Sequence, residues 1–311
     1  MKIAVLGAGA MGSLYGGLLS DGGNEVWLLD IWKEHVDAVN ERGLVIEEED
    51  GERLVKNIKA ASNPEQIGSV DLLIVFVKST VTGEAVRGAV PVIGEKTPVL
   101  TLQNGLGNIE KIEEVVGKGR VIGGVTSHGA TMLGPGRIRH AGRGDTYLGE
   151  VDGSITPRLK TIAKAFNEAG IKSKISQSIL SLIWGKLIVN VGINALAAIT
   201  GLRNGMLPEY AGTSEILEMA VAEAVRVAET KGIKLQYDDP VAHVKEVCRL
   251  TAQNKASMLQ DVLNKRKTEI DMINGAVVRE GKTEGIATPV NKVLAGLVSV
   301  MQETYDIRIE H

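Results

Sequence analysis

The feature that most constrains this chain lies at its start. Lys2-Ile3-Ala4-Val5-Leu6 is a short, mostly apolar run that stops at Gly7-Ala8-Gly9-Ala10-Met11-Gly12, and from Ala10 to Leu19 small and apolar residues recur at helical spacing. A G-x-G-x-x-G on its own is a weak signal. Set between a strand and a helix it has a physical meaning for each glycine: Gly7 permits a tight turn, Gly9 lets the backbone approach a pyrophosphate, and Gly12 allows close packing of the helix. The helix N-terminus then attracts the phosphate charge. Residues 7–12 are therefore the expected dinucleotide cradle.

Glu25 to Asp30 reads as a second strand, which completes a βαβ unit. Further apolar runs follow at Val70 to Val77, Val99 to Leu102 and Val121 to Thr126, with helix-like stretches at Lys33 to Arg42 and Asn108 to Val116. Strands that are continuously apolar rather than alternating are covered on both faces, which predicts a parallel sheet. Gly134-Pro135-Gly136, Arg137 to His140 and Thr146 to Leu148 read as hairpin-like strands at the sheet edge, and Glu47-Glu48-Glu49-Asp50 as a solvated loop. Pro157 to Ala169 is an amphipathic helix with Thr156 as its N-cap, and Lys172 to Ile175 is the last strand. From Ser178 onward the periodicity is helical, punctuated by Gly232, Pro240, Gly281 and Pro289. The expected fold class is α/β: a Rossmann-type, doubly wound parallel sheet over residues 1–176, then an all-α domain over residues 177–311.

Composition narrows the partners. The 311 residues carry 35 Lys+Arg against 38 Asp+Glu, a net charge of −3, and only 3% aromatic residues. That balance excludes a disordered chain and a basic nucleic-acid-coating protein, and leaves little for base stacking. Cys248 is the single cysteine; it cannot close an internal disulfide and has no zinc-type cluster around it, so we expect no metal and a buried thiol in a reducing, cytoplasmic setting. Ile179 to Leu202 is long enough to span a bilayer, but Lys186, Asn190, Asn194 and the flanking Arg203 favour a buried helix of a soluble domain and no membrane partner. No export signal is indicated. The apolar helical half offers a face for a homodimer.

Two places carry chemistry. Asp30 stands at the end of the second strand, where a carboxylate can accept hydrogen bonds from an adenosine ribose and repel a 2′-phosphate; a solvent-facing turn residue is the alternative, and Lys33 nearby could still receive a phosphate. Lys186, Asn190 and Asn194 fall at i, i+4 and i+8, so their heads form one polar stripe on an otherwise apolar helix. A desolvated ammonium loses pKa, which suits a general acid. Otherwise such a lysine snorkels to water.

Taken together, Gly7-x-Gly9-x-x-Gly12, Val75-Phe76-Val77-Lys78, Gln103-Asn104-Gly105, Trp184-Gly185-Lys186-Leu187 with Asn190 and Asn194, Arg203-Asn204-Gly205, Ser257 to Asp261, and Thr268-Glu269-Ile270-Asp271-x-x-Asn274-Gly275 resemble the ketopantoate reductase family along the whole chain. The resemblance implies NAD(P)H-dependent reduction of a small keto acid, 2-dehydropantoate, to pantoate on the route to coenzyme A, in a cleft between a Rossmann and a helical domain. It implies that Lys186 gives a proton to the ketone oxygen. Asn190, Asn194 and Asn204 match the family's substrate asparagines, and the segment Asn254 to Ser257 matches the part that holds the substrate's carboxylate side. Lys78, Asn104, Ala130 and Glu269 match cofactor positions. Where most members have a small residue and then arginine, this chain reads Leu29-Asp30-Ile31, so an NADH-preferring enzyme is expected. The alternatives are a related NADH-linked 2-hydroxyacid dehydrogenase and, more distantly, a non-catalytic dinucleotide sensor.

On one straight helix Ser257 and Glu269 would stand about 18 Å apart. We therefore expect a helix beginning after Ser257 and a Glu269 that serves the cofactor end alone.

Overall fold

The computed structural model describes residues 1–308. It divides into two compact units, one made of Met1–Gln103 with Asn108–Ile179, the other of Asn104–Gly107 with the chain from Leu180 onward.

The first unit contains, in chain order, β1 (Lys2–Leu6), α1 (Ala10–Asp21), β2 (Glu25–Leu29), α2 (Lys33–Arg42), β3 (Leu44–Glu48), β4 (Gly51–Val55), β5 (Lys59–Ala61), β6 (Leu72–Val75), α3 (Thr82–Gly88), β7 (Val99–Thr101), α4 (Asn108–Val116), β8 (Val121–Thr126), β9 (Gly129–Gly134), β10 (Arg137–Gly142), β11 (Thr146–Glu150), α5 (Pro157–Glu168) and β12 (Ser173–Ile175). Its main sheet runs β12-β11-β8-β7-β6-β1-β2-β5. Every pairing in it is parallel except β11 with β8. Strand order reverses between β1 and β6, and outside the carboxyl ends of strands at such a switch point lies the usual ligand crevice of this architecture.

The expected hairpin is real but is not on the edge of that sheet. β9 and β10 join β3 and β4 in a separate four-stranded sheet, ordered β4-β3-β10-β9, whereas β11 lies inside the main sheet between β8 and β12. The reason is α1. Added methyl groups would come within 2.5 Å of Leu28 at Gly16 and 2.7 Å of Ile46 at Gly17, so this helix is sandwiched between the two sheets with no side left for water. Nor is Glu47-Glu48-Glu49-Asp50 a solvated loop: Glu47 and Glu48 belong to β3 and only Glu49-Asp50 forms the turn. Their charge is matched across strands, Glu47 to Arg139 at 2.6 Å and Glu48 to Arg53 and Arg143 at 3.3 and 3.2 Å. The N-cap of α5 is as expected, with Thr156 Oγ1 accepting the Leu159 N–H at 3.2 Å.

The second unit is helical: α6 (Ile179–Thr200), α7 (Ala211–Thr230), α8 (Pro240–Leu250), α9 (Ser257–Leu263), α10 (Asn274–Glu284) and α11 (Pro289–Glu303). α6 is long and apolar enough to cross a membrane, but most of it is buried in this unit, where Val191, Ala195 and Leu196 pack with Val221, Val244 and Cys248. Glu223 on α7 is 3% exposed and caps α11, accepting N–H bonds from Val290 at 2.9 Å and Asn291 at 3.0 Å. α9 ends at Leu263, so Ser257 and Glu269 do not share a helix and the 18 Å spacing, which assumes one straight helix, does not apply. A turn that includes Lys265 at φ +51° redirects the chain between them.

Candidate active site

At the end of β1 the chain turns at Gly7, with φ +94°, and a methyl group there would lie 2.6 Å from the backbone nitrogen of Val77. A methyl on Gly12 would lie 1.9 Å from the Gly7 carbonyl oxygen. Gly9 is different, for a side chain there would meet nothing within 4 Å. Two glycines are thus needed for packing, and the third leaves open space beside the start of α1, where Ala10 and Met11 form the first turn. The loop fits a dinucleotide pyrophosphate.

Asp30, one residue past β2, is bound to that loop. Its Oδ2 accepts the Ala8 N–H at 2.5 Å and its Oδ1 the Trp32 N–H at 2.8 Å. The carboxylate is thereby held with lone pairs to spare at the place where an adenosine ribose is expected.

Lys78 is exposed, three residues beyond β6. The segment carrying it is fixed from behind by Gln103, whose Nε2 donates to the Val77 carbonyl at 2.6 Å and to Thr82 Oγ1 at 2.8 Å. Thr82 in turn donates to Asn108 at 2.9 Å, and Asn108 to Ser79 at 3.2 Å. This supporting role of Gln103 and Thr82 was not read from the sequence. A polar pair flanking buried strand ends is its only trace there. Ala130 is partly buried on β9, paired with His140 of β10.

The second unit contains the residues expected around the substrate. Lys186, Asn190 and Asn194 follow one another along α6. Lys186 is partly buried, and desolvation draws its pKa down from 10.5 to about 8 against the opposing pull of the Glu269 carboxylate. Asn194 is 4% exposed, and its Nδ2 reaches Ser257 Oγ, in the first turn of α9, at 3.5 Å. Asn204 donates its backbone N–H to the Asn254 carbonyl at 3.1 Å and its side-chain amide to Thr251 at 2.9 Å. Its Oδ1 is buried without a partner among the described residues, an acceptor suited to a ligand hydroxyl.

Asn104 and Glu269, expected at the cofactor, belong to this unit as well. Leu106 donates its N–H to the Met272 carbonyl, which seats Asn104–Gly107 on the turn that follows Glu269. A carboxylate and an amide thus reach the unit that holds Lys186, while the glycine loop, Asp30, Lys78 and Ala130 belong to the other.

A family model for ketopantoate reductase PanE/ApbA matches residues 3–153, and one for the C-terminal part of the same family matches residues 178–302. The 2-dehydropantoate 2-reductase of Halobacterium salinarum is 39% identical over 305 residues, covering 97% of this chain and 99% of that protein. That of Pyrococcus horikoshii is 36% identical over 302 residues, covering 97% and 98%. Among solved structures, a PanE/ApbA family ketopantoate reductase from Ralstonia eutropha JMP134 superposes with a TM-score of 0.91 at 34% identity, covering 98% of this chain and 99% of that one. A D-mandelate dehydrogenase with NADH and anilino(oxo)acetate superposes with a TM-score of 0.92 at 33% identity, covering 99% and 100%.

Proposed function

The chain belongs to the ketopantoate reductase family, and from that premise we propose that it is a 2-dehydropantoate 2-reductase, reducing the ketone of 2-dehydropantoate to the alcohol of pantoate in the cytoplasm. The bound nicotinamide supplies the hydride. The observation that carries the reading in this chain is Lys186, an ammonium whose pKa desolvation lowers to about 8, in line with Asn190 and Asn194 on a buried helix. A donor with a pKa near the working pH is protonated when needed and releases its proton readily.

In this reading Lys186 Nζ gives its proton to the ketone oxygen as negative charge develops there. Asn190, Asn194 and Asn204 hold the substrate's oxygens, and the Asn254–Ser257 segment takes its carboxylate side. The unpartnered Oδ1 of Asn204 suits the substrate hydroxyl. Beside its proposed place at the cofactor, Glu269 helps to keep the Lys186 ammonium charged, since its negative charge opposes the desolvation, so it does not serve the cofactor end alone. The six residues Gly7 to Gly12 receive the pyrophosphate, and Lys78, Asn104 and Ala130 contact the rest of the dinucleotide. Asp30 favours NADH over NADPH, because a carboxylate repels a 2′-phosphate and no arginine stands at position 31 to neutralise it.

A second reading, an NADH-dependent reductase of a different 2-keto acid, is favoured by the similarity to the D-mandelate dehydrogenase together with Asp30. The test is NADH oxidation by the purified protein with 2-dehydropantoate and with phenylglyoxylate, repeated with NADPH. A kcat/KM at least tenfold higher for 2-dehydropantoate is expected. A higher value for phenylglyoxylate would replace the first reading with the second.

A further inference from the structure

His35, on the first turn of α2, is fully buried, as is Ser13 on α1. Neither lies in the glycine motif, yet both are wired to it. The Gly136 N–H, in the turn between β9 and β10, donates to His35 Nδ1 at 3.0 Å. An imidazole nitrogen that accepts carries no proton, so in the neutral ring the hydrogen is on Nε2. That nitrogen is 3.1 Å from Ser13 Oγ and donates to it. The Ser13 hydroxyl is then free to donate in its turn, and it does so to the Ala8 carbonyl at 2.9 Å.

The chain of donors runs in one direction, from Gly136 through His35 and Ser13 to Ala8. At the other end of the same residue the Ala8 N–H is taken by Asp30 at 2.5 Å. Ala8 is clamped at both its N–H and its C=O, between Gly7 and Gly9, so the orientation of the peptides that face the open space at Gly9 is set from outside the loop. The Trp32 ring stacks on His35 with centroids 5.2 Å apart and planes 15° apart, fixing the imidazole plane. The other end of the chain, Gly136, closes the hairpin whose first strand bears Ala130.

We infer that His35 is a positioning residue of the dinucleotide site, acting as the neutral Nε2–H tautomer through Ser13 to set the Ala8 peptides and through Gly136 to hold the hairpin that carries Ala130. The inference rests on the reading of residues 7–12 as the dinucleotide cradle. Burial lowers the His35 pKa below its ordinary 6.5, which keeps the ring in the neutral form the chain requires.

Two measurements test it. The first needs no dinucleotide: ¹⁵N shifts of the free protein, with the His35 signals assigned by their loss in His35→Gln, should report the Nε2–H tautomer at pH 7.5. The second is the dissociation constant for NADH, from fluorescence titration of the parent, Ser13→Ala, His35→Leu and His35→Gln. Loss of one link should weaken binding about five- to tenfold in Ser13→Ala and His35→Leu, while keto-acid KM stays within twofold. Gln offers both an acceptor and a donor, so His35→Gln should recover most of the affinity. Ser13→Ala removes one oxygen and guards against a result due only to misfolding. An Nδ1–H tautomer, or NADH affinities within twofold of the parent in both Ser13→Ala and His35→Leu, overturns the inference alone. A parent that binds neither NADH nor NADPH overturns the cradle reading and this one together.

Discussion

The N–H of Leu106 donates to the carbonyl oxygen of Met272 at 3.0 Å, and so two segments far apart in sequence, Asn104–Gly107 and the turn after Glu269, share one main-chain contact. Gly105 makes the approach possible, with φ +80° and no side chain where a methyl would lie 2.3 Å from that same carbonyl oxygen.

Gly105→Ala should therefore displace Asn104 rather than be absorbed. Both the left-handed backbone and the overlap oppose it, and we expect a loss of roughly 1–3 kcal/mol in the local docking. Steady-state kinetics should give kcat/KM at least tenfold below the parent, with the melting temperature lowered by several degrees. Parental kinetics would show that the contact is dispensable.

Lys186→Ala should lower kcat by about 10²- to 10⁴-fold while dinucleotide affinity stays near the parent's. The same residue sets the pH profile. A proton donor with a pKa of about 8 is charged below that value and empty above it, so kcat/KM for ketone reduction should be flat towards neutrality and fall tenfold per unit above pH 8. A profile flat to pH 10 would remove Lys186 from the proton transfer.

Asp30→Ser combined with Ile31→Arg should raise the NADPH to NADH ratio of kcat/KM at least tenfold, by removing a repelling charge and adding a guanidinium for the 2′-phosphate. Because Asp30 also holds the Ala8 N–H, NADH affinity should fall in the same variant. An unchanged ratio would mean that these two positions do not face the ribose.

Glu223→Ala leaves the N–H groups of Val290 and Asn291 and the Asn291 amide without the acceptor they share at 2.8–3.0 Å. Losing a buried charged acceptor and the cap of α11 should cost about 3 kcal/mol, read as a drop in the urea midpoint. Dinucleotide binding, in which Glu223 has no proposed part, should be spared.

His128 lies with Nδ1 3.0 Å from His140 Nε2, and its pKa is lowered from 6.5 to about 4 by burial first and then by the neighbouring charges of His140 and Arg143. The unfolded chain takes up this proton near pH 6.5 and the folded one only near pH 4, so the stability is complete above 6.5 and lost as pH falls to 4. A fully buried group with this shift would give ~3 kcal/mol; His128 is only partly buried, and solvent screening reduces that to about 1–2 kcal/mol. Urea titrations of the parent and His128→Asn across this range should converge towards pH 4. Parallel curves would rule His128 out.

What the sequence carried was local periodicity and spacing. The βαβ start, the apolar runs of β1, β6, β7 and β8, the cap at Thr156 and the stripe on α6 are all short-range patterns, and they were legible. β3, β4 and β5 were not, because they are short and charged, and their stability comes from pairing with β10 and β2 and from ion pairs such as Glu47 with Arg139. The second sheet escaped for a related reason. Its place against α1 depends on that helix being thin enough to be covered twice, which Gly16 and Gly17 imply only once their neighbours are known. At the candidate site the residue types were readable, but the dual attachment of Asp30, the Gln103 support and the break at Leu263 depend on contacts between distant segments.

Asn104–Gly107 is grouped with the helical unit although its sequence neighbours on both sides are not. The polypeptide consequently passes from one unit to the other at three junctions, not one. A gene recombined at the codon for residue 180 would exchange the lysine and its asparagines but leave behind the tetrapeptide with Asn104. Hybrids made from two relatives should regain turnover only when that tetrapeptide travels with the C-terminal half, which makes a single crossover a poor evolutionary route to a new substrate preference.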